Sequence, residues 1–237
     1  MATQPSLKPE HRHVRVHTSE SWLDVCPPPP RYGPIVARAW LIGLTAFAGG
    51  GLAQADVLDD LEAQLDSPDY QVRMLSCRQA RALGIAGVPD GATKEVRVVD
   101  YLYRALGDRS ENVVREALAA ATEFPIEPVF DRVLVFANGT RCCYSSMTRA
   151  VAVQALGRLG RQIHPTGSAA VMPLADLLSA DLSIMVRFAA ALALGSLANP
   201  LAEDPLDAAL GAEADLRVLA AINRALQRLR RAIAASP

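Results

Sequence analysis

The side chains in this sequence that could do chemistry fall into three groups. They are the histidines His11, His13 and His17, the adjacent Cys142 and Cys143, and a series of arginines that each follow an apolar or β-branched residue. Alternating histidines can hold a metal. These stand among Pro5, Pro9 and the run Pro27 to Pro30, in a tract without apolar periodicity, and we expect no metal there. The fourth histidine, His164, sits beside Pro165 in a segment between helices and reads as a loop residue rather than a general base. No Gly-rich phosphate loop, Gly-x-Ser-x-Gly elbow or Cys-x-x-Cys pair occurs. The expectation is therefore a chain with no catalytic residue and no cofactor.

Cys77 falls inside a helical stretch and is expected to serve as a small buried apolar residue. Cys142 and Cys143 leave three readings open: plain thiols, a disulfide between neighbours, or an intermolecular bridge. Cys77, two repeats away, is expected to be out of reach, because a disulfide needs Cα atoms within about 7 Å.

The arginine pairs are Val72-Arg73, Val114-Arg115, Thr148-Arg149, Val186-Arg187 and Leu216-Arg217, and their arginines stand 42, 34, 38 and 30 residues apart. Each opens an alanine-rich stretch at helical spacing. An arginine one step past an apolar residue lies at the edge of a helix's buried face. There its stem covers apolar surface while the guanidinium reaches acceptors on a neighbour. Asp66, Asp108 and Asp181 precede Arg73, Arg115 and Arg187 by six or seven residues, and can cap a helix while accepting from an arginine. The expectation is a structural ladder along stacked units. The functional alternative is a strip of five arginines that binds anions.

A period of this size marks a repeat array. Composition agrees: the chain is 51% hydrophobic but only 5% aromatic, and alanine and leucine favour helices over a sheet core. Apolar spacing predicts five helix pairs: 57–65 with 72–84, 94–106 with 112–124, 129–137 with 147–160, 169–178 with 182–198, and 206–210 with 213–234. The fold class is thus all-α, a superhelix of about five two-helix units. The formal net charge of -1 gives no global attraction to nucleic acid or to an anionic membrane.

The run from Asp181 through Val186, Arg187, Ala190, Ala193 and Leu194 to Gly195 resembles a HEAT repeat of the HEAT-like, PBS-lyase type. Arg149, Ala152, Ala155, Leu156 and Gly157 fit the same pattern. The resemblance spans about residues 57–233 and is strongest in units three and four. In unit one Gly84 comes eleven residues after Arg73 instead of eight, which suggests an insertion of nearly one turn. In unit five Glu213 and Asp215 stand where an aspartate is usual. The resemblance implies a right-handed α-α superhelix whose concave face binds other proteins. Some proteins similar to these hold iron with paired His-Glu dipeptides, and no such pair occurs here.

The first quarter of the chain has a different character. Residues 1–34 read as disordered. Residues 35–55 read IVARAWLIGLTAFAGGGLAQA, with Arg31 and Arg38 before an apolar run and small residues at Ala53 and Ala55. That is the layout of a bacterial secretory signal, with cleavage expected between Ala55 and Asp56. An uncleaved membrane anchor and a helix capping the stack are the competing readings. Residues 56–237 would then be the repeat domain, periplasmic or secreted. The functional expectation is a non-catalytic scaffold that binds a protein partner, with Gln71, Arg78, Glu116, Gln154 and Arg158 as contacts on the second helices. A cytoplasmic lyase-type or enzyme-accessory protein and a membrane-tethered scaffold are the alternatives. The basic end of the last helix, Arg224 to Arg231, reads as the polar face of a terminal repeat, with contact to acidic lipid or a partner as the alternative.

Overall fold

A computed structural model describes residues 53–86, 92–139, 144–163 and 168–235, with side chains given except at 53–56 and 92–95. Ten α-helices follow one another: α1 (Ala53–Leu65), α2 (Tyr70–Ala86), α3 (Ala92–Leu106), α4 (Glu111–Ala121), α5 (Glu127–Ala137), α6 (Ser146–Ile163), α7 (Ser168–Ala180), α8 (Ile184–Ser196), α9 (Glu203–Ala212) and α10 (Leu216–Ala234). A short 3-10 turn at Pro200–Ala202 precedes α9. Among the described residues there is no strand. Residues 1–52 lie outside the described part, so the expected disordered preface and most of the expected signal segment do too. α1 begins at Ala53, ahead of the expected cleavage point at Ala55 and Asp56.

Successive helices pair into five antiparallel hairpins, α1 with α2 through α9 with α10, and the hairpins stack side by side. The even-numbered helices form one continuous layer in which α2 packs on α4, α4 on α6, α6 on α8 and α8 on α10. The odd-numbered helices meet each other more sparsely. A stack that is tight in one layer and loose in the other curves toward the tight layer, so the second helices form the inner side. This is an α-α solenoid. Each hairpin leaves its apolar stripe uncovered unless a neighbour is present, which is how repeat arrays derive their stability.

Alanine lets the inner helices approach. Ala117, Ala121, Ala152, Ala190, Ala221 and Ala225 are buried between them, with Leu118, Leu156, Leu194 and Leu226 filling the remaining space. Two contacts are closer still. A Cβ on Gly157 would lie 2.7 Å from Ala193 Cβ, and one on Gly195 would lie 2.5 Å from Ala225 Cα. Gly139, at φ +62, ends α5 in the left-handed conformation that glycine adopts without penalty.

Several boundaries differ from the periodicity reading. α9 is a full ten-residue helix because Glu203 and Asp204 complement its N-terminal dipole, extending it ahead of Leu206. α10 starts at Leu216, so Glu213 stands in the preceding loop. α4 stops at Ala121, and Phe124 tucks beneath α2, where a Cβ on Gly84 would touch its ring at 2.9 Å. α2 is one unbroken helix, and Gly84 is the point where it crosses the end of α4.

Candidate functional site

Polar chemistry in the described residues concentrates at the joints between repeats. At the first joint Arg73 and Asp108 form a two-pronged ion pair, Nε to Oδ2 at 2.6 Å and Nη2 to Oδ1 at 3.0 Å. Their side chains are only 7% and 8% exposed. Arg73 Nη1 also donates to the carbonyls of Ser67 and Pro68, at 2.8 and 3.0 Å. At the third joint Arg149 pairs with Asp181 through both guanidinium nitrogens. At the fourth, Arg187 donates to Glu213 at 2.7 and 3.1 Å, and to the carbonyl of Asp181 at 2.9 Å. In each case the arginine of one repeat reaches forward to the loop of the next.

The acceptors have a second task. Asp108 accepts from the backbone N–H of Ser110, Asp181 from that of Ser183, and Glu213 from that of Asp215. These residues stand just before α4, α8 and α10, so each carboxylate fixes the entry of a helix and the joint behind it. The aspartates therefore sit two residues ahead of the helix cap instead of being the cap. The caps are Ser110 and Ser183, and for α10 Asp215, whose side chain accepts from Arg217 and Val218 N–H. Before α2 the corresponding position is the uncharged Ser67, whose Oγ accepts from Asp69 N–H, and Asp69 accepts from Gln71 N–H.

Asp66, Arg115 and Arg217 are placed differently from the expected ladder. Asp66 precedes Ser67 by one residue, is exposed, and takes an ion pair from Arg104 on α3. Arg115 comes seven residues after Asp108, whereas Arg187 comes six after Asp181. One residue is about 100° around a helix, and Arg115 accordingly turns off the ladder. It reaches Asn112 on its own helix and Thr148 Oγ1 at 3.4 Å. At this second joint the roles reverse. Glu111 reaches forward and accepts from Ser145 N–H at 3.1 Å, from Ser145 Oγ, and from Thr148 Oγ1 at 2.7 Å. Burial works against the charge of Glu111, but the hydrogen bonds from Ser145 and Thr148 outweigh it and hold the carboxyl below the usual glutamate range. The position two residues before Ser145 is Cys143, which with Cys142 and His164 lies outside the described residues.

Arg217 pairs with Asp215 of its own repeat and stands in solvent. Its predecessor Leu216 is 80% exposed, whereas Val186 and Val218 are fully buried. Val218 is thus the counterpart of Val186, and Leu219 occupies the place of the ladder arginine. Glu213 precedes Val218 by the five residues that separate Asp181 from Val186.

The five expected partner contacts all lie on second helices. Gln71, Gln154 and Arg158 are exposed. Arg78 and Glu116 bond each other across the first joint at 2.7 Å, and Arg81 pairs with Glu123 beside them. On α8 the same face carries Met185, Phe188 and Leu192, which are half-buried or exposed. A cleft of about 490 Å³ at one end is lined by Ser183, Ile184, Met185, Phe188 and Arg217. Met185 and Phe188 were not among the expected contacts, although an apolar residue on a solvent-facing arc was visible in the spacing.

Cys77 is fully buried in α2. Burial raises its thiol to about 11, although Tyr101 donates a hydrogen bond to it at 3.7 Å. Ser76 links Tyr101 to the carbonyl of Leu61. Among the described residues no group of three His, Cys, Asp or Glu could hold a metal, and no helix is long and apolar enough to cross a membrane.

Residues 141–227, which run from the end of the α5–α6 link to α10, match the family model for HEAT repeats. HEAT repeats generally mediate protein–protein interaction. No curated protein matches the chain.

Proposed function

We propose that this chain, a HEAT-repeat protein by its fold and by the family match over residues 141–227, is a non-catalytic scaffold whose inner face holds a protein partner after export from the cytoplasm. The observation that carries the reading is the division of labour among its polar groups. Ladder side chains are consumed in holding repeats together, while the inner arcs of α6, α8 and α10 expose a mixed surface without using it internally. Extended inner faces of this kind are what solenoids present to partners. Export rests on the signal-like layout of residues 35–55.

Two measurements test the two halves. A photo-crosslinking residue at Gln154 on the inner side should capture a partner in cell extracts, whereas one at Asp176 on α7 should not. Equal capture from Asp176 would remove the inner-face reading. Sequencing the N-terminus of the endogenous protein should return Asp56 as the first residue. An intact N-terminus in the cytosol would remove export and favour the enzyme-accessory alternative.

A further inference from the structure

Charge in the last three repeats is divided between the two layers. α6, α8 and α10 contain nine arginines and no Asp, Glu or Lys. The carboxylates of these repeats lie on α5, α7 and α9 and in the loops: Glu127, Asp131, Asp176, Glu203, Asp204, Asp207, Asp181, Glu213 and Asp215. Four of the arginines are matched: Arg149 and Arg187 in the ladder, Arg217 by Asp215, and Arg230 by Glu203 and Asp207. Arg158, Arg161, Arg224, Arg228 and Arg231 have no carboxylate partner among the described residues.

Helix geometry places these five together. Gly157 is the point where α6 touches α8, and Ala225 is the point where α10 touches α8. At about 100° per residue, Arg158 and Arg161 fall to the inner side of Gly157. Arg224, Arg228 and Arg231 fall to the inner side of Ala225, away from α9, which holds Arg230 on the opposite side. In the register set by Gly157 on Ala193 and Ala225 on Gly195, Leu192 of α8 lies level with the start of both rows, and Phe188 and Met185 continue the apolar floor toward the N-terminus of α8. Stacked helices lie about 8–10 Å apart, so the rows stand about two such spacings from each other. A single helix, about 10–12 Å across, fits between them. The first two repeats lack this character, because Arg78 and Arg81 are matched by Glu116 and Glu123.

We infer that the inner face of α6, α8 and α10 docks an acidic amphipathic segment of a partner protein. Its apolar side rests on Met185, Phe188 and Leu192, and its carboxylates meet Arg158, Arg224 and Arg228. This rests on the inner-face reading above and adds the chemistry of the partner. A hydrocarbon floor suits a peptide better than a nucleic-acid backbone, which would lie phosphate-first over it without a stacking platform. A flat bilayer cannot enter an inward-curving face.

The test uses the full chain and fluorescence anisotropy with a labelled peptide of leucine and glutamate at helical spacing. Its lysine counterpart, a single-stranded oligothymidine and vesicles of phosphatidylcholine with phosphatidylserine are measured in parallel. The glutamate peptide should bind, and binding should weaken with added salt. Replacing Arg158, Arg224 and Arg228 together by Glu should weaken it by about tenfold or more, as expected for three rim ion pairs. All three are exposed, so circular dichroism should be unchanged. Binding that survives the triple replacement, equal binding of the lysine peptide, or arginine-dependent binding of the oligothymidine or vesicles in place of the peptide would each overturn the inference. If a partner still crosslinks at Gln154 while the glutamate peptide is ignored, the acidic segment is wrong and the inner face stands. Loss of both removes the two readings together.

Discussion

Asp108→Ala is the sharpest probe of how this array is held together. The substitution removes both bonds to Arg73, at 2.6 and 3.0 Å, and the acceptor for Ser110 N–H at 2.7 Å. Arg73 stays behind in a setting where it was 7% exposed. Orphaning one member of a buried pair costs about 3–5 kcal/mol. Arg73 keeps two carbonyl acceptors, at Ser67 and Pro68, so the loss should fall near the lower end, about 3 kcal/mol. For an array of this size that is a fall of about 10 °C in Tm. Hydrogen exchange should rise in α1 and α2, which lose their hold on the second repeat, and stay unchanged in α6 to α10, because each repeat contacts only its neighbours. The double replacement Arg73→Met with Asp108→Asn removes the charge and keeps the Ser110 acceptor, and should regain most of the loss. A loss below about 1 kcal/mol, the range of surface pairs, would refute a buried ladder. So would equal exchange in all five repeats.

Three further outcomes follow from the same geometry. Gly195→Ala puts a methyl 2.5 Å from Ala225 Cα; backbone cannot yield, so urea denaturation should show a loss of about 1–3 kcal/mol or more, and no loss would mean that α8 and α10 are not in contact. Glu213 is held below its ordinary range by the Arg187 hydrogen bond, and Glu111 is also held low. A depressed carboxyl stabilises the fold above its unfolded pKa, about 4.3 for glutamate. The contribution is lost as pH falls through the lower folded value. Denaturation midpoints should therefore stay flat from neutral pH to about 5 and fall below about 4.3, with Glu213→Gln flattening that fall; stability that grows on acidification would contradict this. The Cys77 thiol, buried and raised to about 11, should resist iodoacetamide in the native protein and react only on unfolding, and rapid native alkylation at Cys77 would place it elsewhere.

Much of the fold was legible because it is written at two periods, the helical one and the repeat. Buried Leu61, Leu102, Leu156 and Leu194 all fall on apolar stripes that spacing alone identifies. What periodicity cannot supply is where a helix starts, since that depends on a cap and a dipole. Ser110, Ser183 and Asp215 set α4, α8 and α10, and acids placed near them look like caps in sequence. The inner surface was partly legible. Gln154 and Arg158 emerged from the solvent-facing arc, whereas the matching of Arg78 with Glu116 depends on side-by-side register between repeats, which no single helix encodes.

The misplacement of Arg217 has an instructive cause. Leu216-Arg217 imitates the recurring dipeptide, but the contact that fixes register is steric. Gly157, eight residues after Arg149, meets Ala193, six residues after Arg187. Gly195, eight after Arg187, meets Ala225, which lies six after Leu219 and eight after Arg217. Only Leu219 therefore satisfies the spacing of the joint before it. The ladder is directional, with an arginine reaching forward and an oxygen receiving from behind. Within the described repeats the first joint-forming loop begins with neutral Ser67 and the last helix carries neutral Leu219. Within the described repeats both of these positions are uncharged. A half-buried charge without a counterion is costly, which is why Arg73, Arg149 and Arg187 each stand against a carboxylate of the next loop.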